Sequence, residues 1–207
     1  MDLMNGVKTI IFDFGGVIID LDHAGAVREF KKAGLVNAEE VLSPYHQQGI
    51  FQEFERGAID RARFYEKYRE LVGVNVSENE IDNGWFGFIG GLEDYKLDML
   101  DELRTKYAVF LLSNTNPVVM DWAFSPAFGK DGRTLPDYFD RLYLSYQLGC
   151  LKPDRAIFDH IVADAGILPE ETLFIDDGES NCVAAAKLGF KTFVPKNGED
   201  FRYVFET

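Results

Sequence analysis

The sequence predicts an α/β protein: a doubly wound, mainly parallel sheet of the Rossmann-like kind, with a helical segment inserted early in the chain. Three observations carry this. Short apolar runs such as TIIF at Thr9–Phe12 have the length and the β-branched or aromatic content of buried strands. From Tyr95 onward such runs alternate with helical segments, as repeated βαβ units require. Between the first run and that alternation, from about His23 to Gly91, the pattern is helical with no convincing strand.

Taken in order, the first strand ends on Asp13, and Gly15 and Gly16 follow, where the backbone can turn sharply and be approached closely. Residues 26–32 form a short amphipathic segment stopped by Gly34, and a second begins at Ala38 and breaks near Pro44. Asp60 is placed to cap a helix over 61–72 that ends at Gly73. Ser77 and Glu80 have capping-box spacing ahead of Ile81 and Trp85. Phe51, Phe54, Phe64, Tyr65 and Tyr68 recur at helical spacing and are assigned to the insert's own core. The expected division is a core of residues 1–20 and 92–207 with a helical unit over 21–91.

The alternating part predicts helix to 106, strand 108–112, helix after Pro117, strand 142–146, helix 156–165, strand 173–175, helix 182–188 and strand 191–194. Residues 129–138 are polar and rich in Gly and Pro, and read as surface connection; FRYVF near the C-terminus fits either a strand or a helical turn.

A net charge of −14 gives no long-range attraction to nucleic acid or to an anionic membrane, so an anionic substrate must be met locally by a metal, a lysine or backbone N–H groups. No apolar run is long enough to span a bilayer, and the N-terminal MDLMNGV lacks the features of a signal peptide. Cytoplasmic residence is the expectation, and Cys150 and Cys182 read as small fillers of a reduced protein. The oligomeric state is not encoded in any motif.

Four strand ends carry polar residues, and in a parallel sheet ligands collect at the carboxyl ends of strands. Asp13 ends the first; a solvated acid in a glycine turn is the alternative. Ser113, Asn114 and Thr115 end the second, where a hydroxyl and free backbone N–H groups suit an anionic oxygen, and Asn116 suits a helix cap. Lys152 is held between Gly149 and Pro153, which reads as the start of the next helix; a surface charge is the alternative. Asp176 and Asp177 adjoin at the fourth end, where paired carboxylates need a cation or solvent, unless one caps the next helix. His23, His46 and His160 stand isolated and receive no catalytic role.

The segments FDFGGV, LLSNTN, LKPD and FIDDGESN, in that order, resemble the four motifs of the haloacid dehalogenase superfamily, over nearly the whole chain. The helical stretch is similar to the cap that some members carry at that point, and the wording is similar to small sugar-phosphate phosphatases. The resemblance implies a Mg²⁺-dependent phosphatase for a small phosphorylated metabolite. Asp13 would be the nucleophile forming an aspartyl-phosphate. Mg²⁺ would be held by Asp13, the carbonyl of Gly15, and Asp176 and Asp177, directly or through water. Ser113 and the Asn114 N–H would bind a phosphoryl oxygen, Lys152 would neutralise charge, and Asn181 would orient the loop.

One position departs from that pattern. The second Asp of the first motif, the usual general acid, is Gly15 here. Asp20 and Asp22 are the candidate substitutes, and a preference for activated esters such as sugar 1-phosphates would dispense with the acid. The alternatives are a metal-independent haloacid dehalogenase, which has no use for the acid pair, and a catalytically decayed phosphate-binding protein, which has none for Asp13.

Overall fold

The computed structural model describes residues 3–42 and 47–206. Seven strands are formed: β1 (Thr9–Phe12), β2 (Asp20–Leu21), β3 (Ile89–Gly91), β4 (Ala108–Ser113), β5 (Arg141–Leu144), β6 (Thr172–Ile175) and β7 (Lys191–Phe193). Five make a parallel sheet in the order β5-β4-β1-β6-β7, which puts β1 at its centre. Phe12 is in register with Leu111 of β4 and Ile175 of β6, so Asp13, Ser113 and Asp176 emerge at one edge. The sheet is apolar on both faces, as βαβ crossovers demand. Ile11, Phe110 and Phe174 pack with Ile157, Phe158 and Cys182, while Ile10, Phe12 and Leu111 pack with Leu97, Leu100 and Met120 on the other side.

The helical stretch comprises α1 (His23–Lys32), α2 (Ala38–Val41), α3 (Ile50–Glu55), α4 (Arg61–Val72) and α5 (Glu78–Phe86). Asp60 caps α4 through the Arg63 N–H at 2.8 Å, Gly73 ends it in the left-handed conformation, and Ser77 and Glu80 form the capping box of α5. The aromatic residues at helical spacing do pack against one another. Phe51, Phe54, Phe64 and Tyr68 are fully buried around Trp85, with Phe54 stacked on Phe64 at 4.5 Å. Each such side chain contributes roughly 1.5–3 kcal/mol through burial.

The stretch is not strand-free: β3 lies at its end and pairs antiparallel with β2. Strands of two and three residues, the second reading IGG, have no periodicity to read. α1 starts at His23 rather than at residue 26, because the Asp22 carboxylate accepts the Gly25 N–H at 2.8 Å. The expected break near Pro44, and His46, lie outside the described residues.

The remaining helices are α6 (Asp94–Leu103), α7 (Pro117–Ala123), α8 (Ser145–Leu148), α9 (Arg155–Ala165) and α10 (Glu179–Ala186). β5 stops at Leu144 and the chain turns directly into α8, where continued strand was expected. Pro153 does not start α9; it follows a cis peptide, and Arg155 is the first helical residue. Residues 129–138 are more than surface connection, since Leu135 and Tyr138 are fully buried and the Arg133 guanidinium lies over the Tyr138 ring. FRYVF closes as a 3-10 turn over Arg202–Phe205.

Candidate active site

Asp13 leaves the tip of β1 with its N–H donated to the Ile175 carbonyl at 2.8 Å, which fixes the direction of its side chain. Its Oδ1 accepts the Phe14 N–H at 2.7 Å and lies 2.7 Å from Lys152 Nζ. That ammonium is buried and meets two further oxygens, Leu112 O at 2.9 Å and Asp176 Oδ2 at 2.6 Å. Three acceptors match its three donors. Burial alone would lower the Lys152 pKa, but Asp13 and Asp176 outweigh it and hold the ammonium charged.

Asn114 explains how Lys152 reaches this place. Its side chain donates to the Lys152 carbonyl at 2.9 Å and accepts the Lys152 N–H at 2.8 Å, joining the end of β4 to the loop before α9. Ser113 is buried with only a long contact, 3.4 Å, to the neighbouring Asn114 carbonyl, and it lines the pocket. Of the backbone N–H groups after Asn114, three that were expected to be free have acceptors. Thr115 N–H donates to Ser145 Oγ at 2.9 Å, and the Asn116 side chain takes those of Val118 and Val119.

Asp176 and Asp177 are adjacent in sequence and unlike in surroundings. Both oxygens of Asp176 are engaged, Oδ2 by Lys152 and Oδ1 by the Gly178 N–H at 2.8 Å and Asn181 Nδ2 at 2.9 Å. Asn181 thus ties the start of α10 to Asp176. Asp177 lines the pocket, and burial together with Asp176 pushes its carboxyl up to about 6 despite Lys152. Asp13 is likewise held well above the usual carboxylate range by burial, with Lys152 opposing and the two neighbouring aspartates adding to it.

Carboxylate oxygens of Asp13, Asp176 and Asp177 lie within 4.8 Å of one another. Three acids against one buried ammonium leave the site short of positive charge. The donor set is all oxygen, which suits a hard divalent cation, and Asn181 Oδ1 is buried in the same pocket without a partner. A Mg²⁺-sized ion therefore fits the residues present.

The two candidates for the missing acid are not in the pocket. Asp20 Oδ1 is 2.8 Å from the buried ammonium of Lys96, and Asp22 caps α1 and pairs with Arg28 at 3.1 Å. His23 contacts the Leu42 carbonyl and His160 packs on Tyr143. Cys182 is buried, its thiol pushed up to about 12 by that burial, in keeping with a filler. What the sequence did not single out is Glu55, at the end of α3, in the same pocket as Asp13 and Lys152. Only an acid between a buried Phe54 and Gly57 marked it.

Residues 7–189 match the family described as haloacid dehalogenase-like hydrolase. A D-ribitol-5-phosphate phosphatase of Bacteroides thetaiotaomicron is 49% identical over 196 residues, 95% of each chain. A crystal structure of a haloacid dehalogenase family enzyme from the same organism, an alanine variant of one aspartate in complex with magnesium and inorganic phosphate, has 42% identity and a TM-score of 0.93. The match covers 97% of this chain and 100% of that one. A haloacid dehalogenase-like hydrolase of Porphyromonas gingivalis matches with TM-score 0.92 and 40% identity over 97% and 96% of the two chains.

Proposed function

The chain belongs to the haloacid dehalogenase-like hydrolases, and from that premise we propose that it is a Mg²⁺-dependent phosphatase of a small phosphorylated polyol or sugar. The observation that carries this reading is Asp13 at the tip of β1, 2.7 Å from Lys152 and within 4.8 Å of two further carboxylates. A dehalogenase working without metal has no use for that cluster, and a phosphate-binding protein has none for a nucleophile.

In this reading Asp13 attacks phosphorus, the ester oxygen departs, and water then releases phosphate from the aspartyl-phosphate. Oδ1 is occupied by Lys152 and the Phe14 N–H, so attack falls to Oδ2. Ser113 Oγ and the Asn114 N–H receive a phosphoryl oxygen, and Lys152 offsets charge on Asp13. Bound Mg²⁺ screens the nucleophile from the anionic phosphate. Asp13, the Gly15 carbonyl and Asp177 would ligate it. Asp176, with both oxygens engaged, fits an indirect role that positions Lys152 and Asn181. Residues 21–91 would act as a cap on a core of 1–20 and 92–207, with the β2–β3 pair where the chain leaves and returns.

The relative's substrate is a primary alkyl ester, which favours an alkyl phosphate over the activated sugar 1-phosphates that Gly15 alone suggested. The test is phosphate release from D-ribitol 5-phosphate, sugar 1-phosphates and sugar 6-phosphates, with Mg²⁺ and with EDTA. Turnover that needs Mg²⁺ and disappears in Asp13→Asn is expected. Metal-independent turnover, or Asp13→Asn activity within about tenfold of the parent, would overturn the reading.

A further inference from the structure

Gly15 removes the family's usual proton donor, and Leu21 crowds the space beside it. A β-carbon on Gly15 would meet the two methyls of Leu21 at 3.1 and 3.3 Å, so β2 covers the place from which an aspartate side chain would start. An alkyl phosphate still needs a proton for its departing oxygen, and Asp20 and Asp22, the nearest acids in the chain, are not in the pocket. Glu55 lines the same pocket as Asp13, Gly15 and Lys152.

We infer that Glu55 is the general acid and base of the reaction, acting from the end of α3 in place of the aspartate absent at Gly15; this rests on the phosphatase reading above. Its position is built. The Glu55 carbonyl accepts the Ser145 hydroxyl at 2.6 Å, and that hydroxyl accepts the Thr115 N–H at 2.9 Å. The main chain carrying Glu55 is thus fastened, through one side chain, to the loop that begins at Ser113. Two residues on, a β-carbon at Gly57 would meet the Tyr146 carbonyl at 2.0 Å, so α3 ends in close contact with α8. The Arg56 guanidinium is drawn off to Asp154 at 3.3 Å and does not neutralise its neighbour.

Protonation agrees with the role. Burial pushes the Glu55 carboxyl up to about 8, with Lys152 opposing, so it carries its proton at neutral pH. Asp13 and Asp177 line the same pocket, Tyr146 lies at the α3–α8 contact, and Arg56 and Asp154 pair with each other. The proton balance closes over the cycle. As Asp13 bonds to phosphorus and the ester P–O bond breaks, the Glu55 proton passes to the leaving oxygen and an alcohol departs. The resulting carboxylate takes a proton from the attacking water as the Asp13–phosphorus bond breaks, and phosphate leaves with Glu55 protonated again.

The experiment compares the native protein, Glu55→Gln and Glu55→Asp on a primary alkyl phosphate and on p-nitrophenyl phosphate, whose leaving group needs no proton. kcat/KM reports transfer to Asp13 alone. For Glu55→Gln it should fall about 10²–10⁴-fold on the alkyl ester and less than about tenfold on the aryl ester. A burst of nitrophenol should appear, because water attack is now slow. The native kcat/KM on the alkyl ester should decline on the basic side, the variant should lose that limb, and Glu55→Asp should recover part of the activity. Equal losses on both esters, no loss, or a raised KM with unchanged kcat would overturn the assignment, the last marking a substrate-binding group. Absence of turnover by the native protein on either ester would instead overturn the phosphatase reading, and this inference with it.

Discussion

Asp177 rests against Gly16 so closely that a β-carbon on the glycine would lie 2.2 Å from the carboxylate oxygen. Gly16 also has φ +74°, which a side chain resists. Gly16→Ala should therefore displace Asp177 and cost about 1–3 kcal/mol in stability. The Mg²⁺ concentration for half-maximal turnover should rise about 10–100-fold. Denaturant unfolding and a Mg²⁺ titration measure the two effects, and a parental Mg²⁺ response would remove Asp177 from the metal site.

Lys152 supplies the only ammonium bonded to both Asp13 and Asp176 among the described residues. Lys152→Met leaves two buried acids uncompensated and should destabilise the protein by about 3–5 kcal/mol. Saturating Mg²⁺ should return part of that loss, because it brings positive charge to the same oxygens. The check is the unfolding midpoint with Mg²⁺ and with EDTA; equal midpoints in the variant would show that no cation binds there.

Gly15→Asp should restore a proton donor to Glu55→Gln only when Leu21 yields its space. On an alkyl phosphate, adding Gly15→Asp alone to Glu55→Gln should recover little. Adding Leu21→Ala as well should recover more than either change separately. Additive effects of the two substitutions would show that Leu21 does not obstruct the position.

Glu55 should also leave a mark on stability against pH. Its carboxyl binds a proton more tightly folded, at about 8, than unfolded, near the ordinary glutamate value of 4.5. The native protein therefore loses stability as pH rises from about 4.5 to about 8, and holds that loss above. Glu55→Gln removes the penalty. Its melting temperature relative to the parent should rise between pH 5 and pH 9, and a difference independent of pH would refute the raised pKa of this carboxyl.

The fold was legible because strand and helix periodicities are local. β1, β4, β6 and the capped α4 and α5 fall where their residues predicted. The four polar strand ends were legible for the same reason, since a parallel sheet gathers them at one edge. What escaped was set by pairs distant in sequence. Asp20 and Asp22 lie near Asp13 in the chain, yet Lys96 and the α1 N-terminus claim them. Glu55 lies on a short helix with no motif of its own, and only its fastening through Ser145 to Thr115 brings it to the site. The N–H groups after Asn114 read as free because their acceptors, Ser145 and the Asn116 side chain, could not be assigned before the loop's path was known.

The Leu21 methyls against Gly15 bear on which ancestors and descendants this chain can have. Every glycine codon lies one or two nucleotide changes from an aspartate codon, so the change itself is readily sampled. A lineage that makes it first meets a crowded site and an acid already lining the same pocket; one that first trims Leu21 loses packing and gains nothing yet. On the Glu55 proposal, neither change alone gives the site a second proton donor with room to work. If Glu55 is the donor, Gly15 and Leu21 would have to change together for the ordinary motif to take over its role, although that motif is a short mutational distance away.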